Sequence, residues 1–113
     1  MILGVNDVAT LVIPVRADLP AYKFQIDLES VLYTFSFRYN ERMDRWIMDI
    51  ADQNENDILL GTPILTRFNL VERFKTASLP PGEFFALDES GNAKQPGRDD
   101  LGNDVKLFYV EAG

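Results

Sequence analysis

Apolar and polar positions alternate along most of this chain, as they do in strands, where successive side chains point to opposite faces. The clearest run is Val31–Asn40, in which Val31, Tyr33, Phe35, Phe37 and Tyr39 share one face. Leu32, Thr34, Ser36, Arg38 and Asn40 share the other. A helix would scatter those aromatics around its circumference, so the pattern predicts a strand. Just upstream, Phe24, Ile26 and Leu28 alternate with Lys23, Gln25 and Asp27, predicting a second strand. The two-residue link Glu29-Ser30 has the spacing of an antiparallel hairpin, although it lacks the Asn-Gly or Asp-Gly of a type I′ turn. After the polar turn Asn40–Asp44, Arg45–Ala51 returns as a third strand with Trp46, Met48 and Ile50 on one face. Beyond the polar run Asp52–Asp57, Ile58-Leu59-Leu60 pairs back as the fourth strand of a meander. Gly61-Thr62-Pro63 breaks or bends that run, and Ile64-Leu65 is its continuation.

The flanks carry weaker versions of the same signal. Leu11–Val15 is strand-like, but Pro14 has no amide to donate, so this is an edge strand or one that bends there. Glu83–Leu87 and Val105–Val110 are two further strands. Between them run 17 residues, Asp88–Asp104, rich in Gly, Asp and Asn, a loop of a length that is usually functional or mobile. Phe68, Val71 and Phe74 lie three apart within Arg67–Lys75, which allows at most one short helical turn between Pro63 and Pro80-Pro81. The expected fold is all-β, a small antiparallel β-barrel or sandwich of six to seven short strands. Residues 11–113 form the single β domain. Residues 1–10, without clear periodicity, are read as an N-terminal arm that a partner chain orders.

Composition acts mainly by subtraction. With 113 residues, 46% of them hydrophobic and 12% aromatic, the chain has enough apolar surface for one core and no room for a second domain. It contains no cysteine and no histidine, so disulfides, thiol nucleophiles, the commonest general base and the commonest transition-metal ligands are all missing. Eleven basic residues against 18 acidic ones give a net charge of −7, which repels phosphate backbones and anionic lipid heads. Nucleic acid and membrane are therefore not expected partners. Met1–Val5 has neither the basic start nor the apolar run of a secretory signal, and the expected setting is a reducing cytoplasm.

Four constellations invite a chemical reading. Asp52-Gln53-Asn54-Glu55-Asn56 matches the first half of a calcium loop, but Asp57 stands where the sharp turn needs Gly, and Pro63 where a bidentate Glu belongs. The carboxylate pairs Asp49/Asp52, Asp88/Glu89 and Asp99/Asp100 suit a glycosidase only if two of them face across a sugar-sized cleft. Trp46 with Tyr33, Phe35, Phe37 and Tyr39 would make a platform for a carbohydrate or other small ligand, yet their shared face is where a core has to be. Ser30, Ser36, Ser78 and Ser90 have no histidine to activate them. The reading is a non-enzyme with no cofactor or metal. A small β-rich carbohydrate- or ligand-binding module is the alternative.

What remains is a rigid β domain whose strand edges suit other proteins. The candidate edges are the segment around Leu11–Arg16 and the last strand, which nominates Val12, Ile13, Val15, Arg16, Lys106, Phe108 and Val110 as interface residues. A set of short motifs runs in order along the chain: Ile13-Pro14, Tyr22-Lys23-Phe24 leading to Leu28, Phe37-Arg38-Tyr39-Asn40, Arg42, Trp46 and Asp49-Ile50. It continues through Gly61-Thr62-Pro63-Ile64, Asn69-Leu70, Leu79-Pro80-Pro81-Gly82, Asp88, Pro96, Asp100-Leu101-Gly102 and Val105–Tyr109. Taken together from Ile13 to Tyr109, the order of these motifs resembles the small baseplate plug family of contractile-tailed phages. One departure is the turn after Asp52, where a Gly is expected and Asn54-Glu55-Asn56-Asp57 stands. The resemblance implies a structural virion protein of the tail baseplate, assembled in the host cytoplasm. Its implied partners are the baseplate hub, the tail tube and other baseplate proteins, with self-association in a ring.

Overall fold

The computed structural model describes residues 9–66, 69–71, 78–92 and 95–112. Seven strands follow in order: β1 (Thr10–Ile13), β2 (Ala21–Leu28), β3 (Val31–Asn40), β4 (Arg45–Asp52), β5 (Asp57–Pro63), β6 (Glu83–Asp88) and β7 (Val105–Val110). They form two antiparallel sheets, a four-stranded one in the order β2-β3-β4-β5 and a three-stranded one in the order β1-β7-β6. The result is an all-β sandwich rather than a closed barrel. No helix occurs among the described residues. The helical turn expected within Arg67–Lys75 falls largely outside the described residues, and so does the arm up to Val8.

The meander forms as the alternation requires. Register pairs Tyr22 with Phe37, Phe24 with Phe35 and Ile26 with Tyr33 across β2 and β3, and Phe35 with Ile50 and Phe37 with Met48 across β3 and β4. Every one of these side chains points to the same inner face. Phe35, Trp46, Met48 and Ile50 are wholly buried there, against Phe84, Ala86, Leu107 and Tyr109 from the three-stranded sheet. The rings of Phe35 and Phe84 meet across the sandwich at 5.6 Å between centroids. Removing this much apolar surface from water is the main stabilising term.

Three turn segments place non-glycine residues at positive φ, at Glu29-Ser30, at Asp44 (50°) and at Glu55. Glu29 and Ser30 both have positive φ, 52° and 72°, which is the type I′ geometry that right-twisted strands need at a two-residue link. Side chains with a Cβ pay a steric cost in that region, and Glu29 offsets it with tertiary bonds. Its carboxylate accepts hydrogen bonds from the Tyr109 hydroxyl and from the Ala112 amide (3.2 Å). The Tyr109 oxygen in turn accepts from the Gly82 amide at 2.8 Å. A Cβ at Gly82 would sit 2.2 Å from the Val110 carbonyl oxygen, so only glycine allows this approach. In the turn after Asp52, Glu55 takes φ 64°, the conformation that glycine would adopt without strain.

Two expectations need correction. Val105–Val110 is not an edge strand: β7 is the middle of its sheet, with β1 on one side and β6 on the other. Chain ends commonly meet in a sandwich, and here the first strand lies against the last. Gly61-Thr62-Pro63 bends the fourth strand without breaking it, but Ile64-Leu65 does not continue it, since the strand ends at Pro63. β5 runs on through Pro63, and register shifts opposite Met48–Ala51 absorb the bend, with Gly61 at φ 75°. The described residues of the long loop are tied to the sandwich. Gln95 receives the Thr66 amide at 2.8 Å, Leu101 is fully buried, and the Gly97 carbonyl accepts the Trp46 indole N–H at 3.0 Å.

Candidate functional site

Because β7 is central, its outward residues stand between those of two neighbours. Val12, Phe108 and Phe85 form one row across β1, β7 and β6. Thr10, Val110 and Glu83 form the next, and Lys106 stands beside Leu87 on the other side. These residues alternate with Leu11, Ile13, Leu107, Tyr109, Phe84 and Ala86, which face inward. The outer surface of the three-stranded sheet is therefore apolar at its middle. Val12 is 58% exposed and Leu87 45%, while Phe85, Phe108 and Val110 are half-buried. Lys106 turns its ammonium to the Gly102 carbonyl (2.9 Å), at the rim of this surface. A contiguous apolar face with a polar margin is the usual form of a protein contact surface.

The structure thus gathers four of the seven nominated residues, Val12, Lys106, Phe108 and Val110, onto one face. Ile13 is not among them: its side chain is wholly buried in the core, since it lies one residue out of phase with Val12. Val15 and Arg16 lie beyond Pro14 in the connection to β2, beside a shallow cleft with Ala17, Asp18, Asp99, Gly102 and Asn103. Arg16 is paired with Asp18 at 2.5 Å, and its backbone is held at both ends by the Tyr22 hydroxyl. Phe85 and Leu87 complete the face and were missed. Their alternation with Phe84 and Ala86 marked a strand, but only the pairing of β6 with β7 reveals which neighbours they join.

The polar constellations are committed to structure. The Asp52 carboxylate accepts from the amides of Asn54 (2.8 Å) and Asn56 (2.9 Å) and from the Asn56 side chain (3.0 Å). Those bonds, from Asn56 above all, hold its pKa below the ordinary carboxylate value. Asp49 binds the Arg38 guanidinium and the Gly61 amide, Asp88 caps Ser90, and Asp100 accepts from the Gly97 amide. Trp46 is wholly buried with its N–H bonded and the Arg98 guanidinium over its ring at 5.6 Å, so it offers no platform to a sugar. Burial, reinforced by the neighbouring Glu29 carboxylate, raises the Tyr109 pKa and keeps the phenol protonated as a donor.

What this frame belongs to is answered by comparison. The family model described as cyanophage baseplate plug gp18 of Pam3 matches residues 10–112. The chain belongs to that family. The match opens on the first residue of β1 and closes just past β7, so the baseplate plug family is defined over both sheets and the loops between them. No curated protein gives a match. The plug family's name describes a structural part of a phage baseplate, which fits a molecule with an apolar patch at the middle of one sheet's outer face.

Proposed function

We propose that this chain is a structural virion subunit of a contractile phage tail, a plug at the centre of the baseplate, seated against the hub and the end of the tail tube. It acts by protein–protein contact and performs no catalysis. The observation that carries this reading is the family match across the whole sandwich, residues 10–112. The outer face of β1, β7 and β6 supports it, since a chain with fixed neighbours keeps such a surface covered in the particle. Copies stand around the tail axis in a ring, each with that face against another baseplate chain. The arm before Ala9 orders against a partner, Ala9 and Thr10 being held by the end of β7 and the residue after it. Assembly takes place in the host cytoplasm.

The test is direct. Purified particles should contain the chain by mass spectrometry, and cryo-electron microscopy should find the sandwich at the baseplate centre beside hub and tube. Particles that lack it, or that assemble fully after its deletion, would overturn the proposal.

A further inference from the structure

The four outer edges of the two sheets are not alike. β1 is only four residues long and runs into Pro14. β5 is broken by register shifts and ends at Pro63. β6 is covered: Thr66 bridges to Ala86, the Leu70 amide reaches the Phe84 carbonyl at 3.0 Å, and Asn69 receives the Phe84 amide. Short length, proline, bulges and cover are the usual protections against unwanted pairing. β2 follows Pro20 and carries Lys23 and Asp27, but it is neither short, bulged nor covered. It runs eight residues in unbroken register with β3, and among the described residues nothing pairs with its other side.

The phase of that free edge is fixed. The Tyr39 amide donates to the Pro20 carbonyl (2.9 Å), so in the antiparallel ladder Tyr22, Phe24, Ile26 and Leu28 bond to β3. The amides and carbonyls of Ala21, Lys23, Gln25 and Asp27 point outward, and all four residues are exposed. The Gln25 side chain folds back to Thr34 (3.0 Å) and the Gln53 carbonyl (2.9 Å), which leaves its backbone clear. On the inner side Tyr22, Phe24 and Ile26 are only half-buried, so the aromatic layer continues to the edge.

We infer that β2 is a self-pairing edge, at which a second copy of this chain adds its own β2 antiparallel about a two-fold axis through Gln25. In that register Lys23 stands opposite Asp27 of the second copy, and Asp27 opposite its Lys23. Gln25 meets Gln25. All of them are outward-bonding positions, so the ladder closes in phase, with two main-chain bonds at each such pair. On the inner face Phe24 lies opposite Ile26 and Tyr22 opposite Leu28, extending the apolar layer across the junction. Charge selects the occupant. An edge guarded by charges of one sign would repel its own copy, whereas opposite signs placed symmetrically about Gln25 attract it. Lys23, already near Glu55, then lies between two carboxylates. Such an isologous contact closes on two copies, and it leaves the outer face of β1, β7 and β6 open to other chains.

Sedimentation velocity of the full chain over a concentration series tests this. The expected species is a dimer. Lys23→Asp and Asp27→Lys, each placing like charges opposite one another, should weaken it by about tenfold or more. The double reversal K23D/D27K should restore association to near the original strength. Gln25→Pro, which removes an outward amide and no main-chain bond to β3, though it gives up the side-chain bonds to Thr34 and the Gln53 carbonyl, should leave a folded monomer by circular dichroism. A chain that stays monomeric, a dimer that ignores all four variants, a double reversal that fails to recover, or a dimer lost instead on Phe108→Ser would each overturn the inference.

Discussion

The two sheets of this sandwich treat their outer faces differently. On the four-stranded sheet the outward positions of β2, β3 and β4 are mainly polar, among them Lys23, Gln25, Asp27, Ser36, Arg38 and Asp49, joined by the Arg38–Asp49 ion pair and the Gln25–Thr34 bond. Leu32 and the buried Ile47 lie between them, and Leu60 on β5 is exposed. On the three-stranded sheet the outward positions are Val12, Phe85, Leu87, Phe108 and Val110, with Thr10, Glu83 and Lys106 around them. Both sheets have equally apolar inner faces, so folding does not account for the contrast. The first surface is finished towards water and the second is not. A soluble monomer gains nothing from the latter arrangement, whereas a component of a particle gains an anchor.

The comparison is tested most severely at the shared core. Trp46→Ala should cost about 3–5 kcal/mol in urea unfolding, because it empties a fully buried site and orphans the Gly97 carbonyl. A cost near that of a surface change would mean that the sheets are not packed as described. Next comes the tether between the sheets. Tyr109→Phe should cost about 1–3 kcal/mol, since the Gly82 amide and the Glu29 carboxylate both lose a partner. It should also change the alkaline limb of stability. A phenol whose folded pKa is raised contributes stability that is complete below its unfolded pKa near 10 and is lost as pH rises through the folded value. The variant should lose that part of the decline, and an identical alkaline curve would contradict the assignment.

Smaller still on stability, but decisive for the contrast, are changes on the two outer faces. Val12→Ser with Leu87→Ser should shift folding by about 0.5 kcal/mol or less per site, as exposed substitutions do, while sharply reducing incorporation into particles. Ser36→Ala on the opposite sheet should alter neither. The smallest effect is at Asp52. Its pKa is depressed in the folded state by the bonds from Asn56 and Asn54, so its stabilisation is present above the unfolded carboxylate value and fades as pH falls through the folded one. Asp52→Asn should lower stability slightly at neutral pH, where the charged carboxylate contributes, and flatten the acid limb of a pH–stability curve, so that the two chains converge at the most acidic pH.

Much of this was legible in the chain. The period-2 pattern of residues 22–50 specifies both register and face, because a slip by one residue would turn Phe35 and Phe37 to water. It also marked Trp46 as core. The pattern could not say which distant strands pair. Val105–Val110 alternates equally well at an edge or in the middle of a sheet, and only the return of β1 and β6 to its two sides decides the matter. For the same reason Val12, Lys106, Phe108 and Val110 were nominated from the sequence, whereas Phe85 and Leu87 were not. Ile13 was misplaced because the edge was assigned as a segment rather than residue by residue. The Glu29-Ser30 turn was legible in spacing only. Its positive φ angles are sustained by Tyr109, 80 residues away, a partner that no local signal announces.

The contrast between the faces is most directly tested by site-specific photo-crosslinking in assembled particles, with the probe at position 12 and, separately, at position 36. A crosslink from position 12 to another baseplate chain, with none from position 36, is the expected result. Crosslinks from position 36 while position 12 stays silent would contradict the assignment of the β1-β7-β6 face as the docking surface.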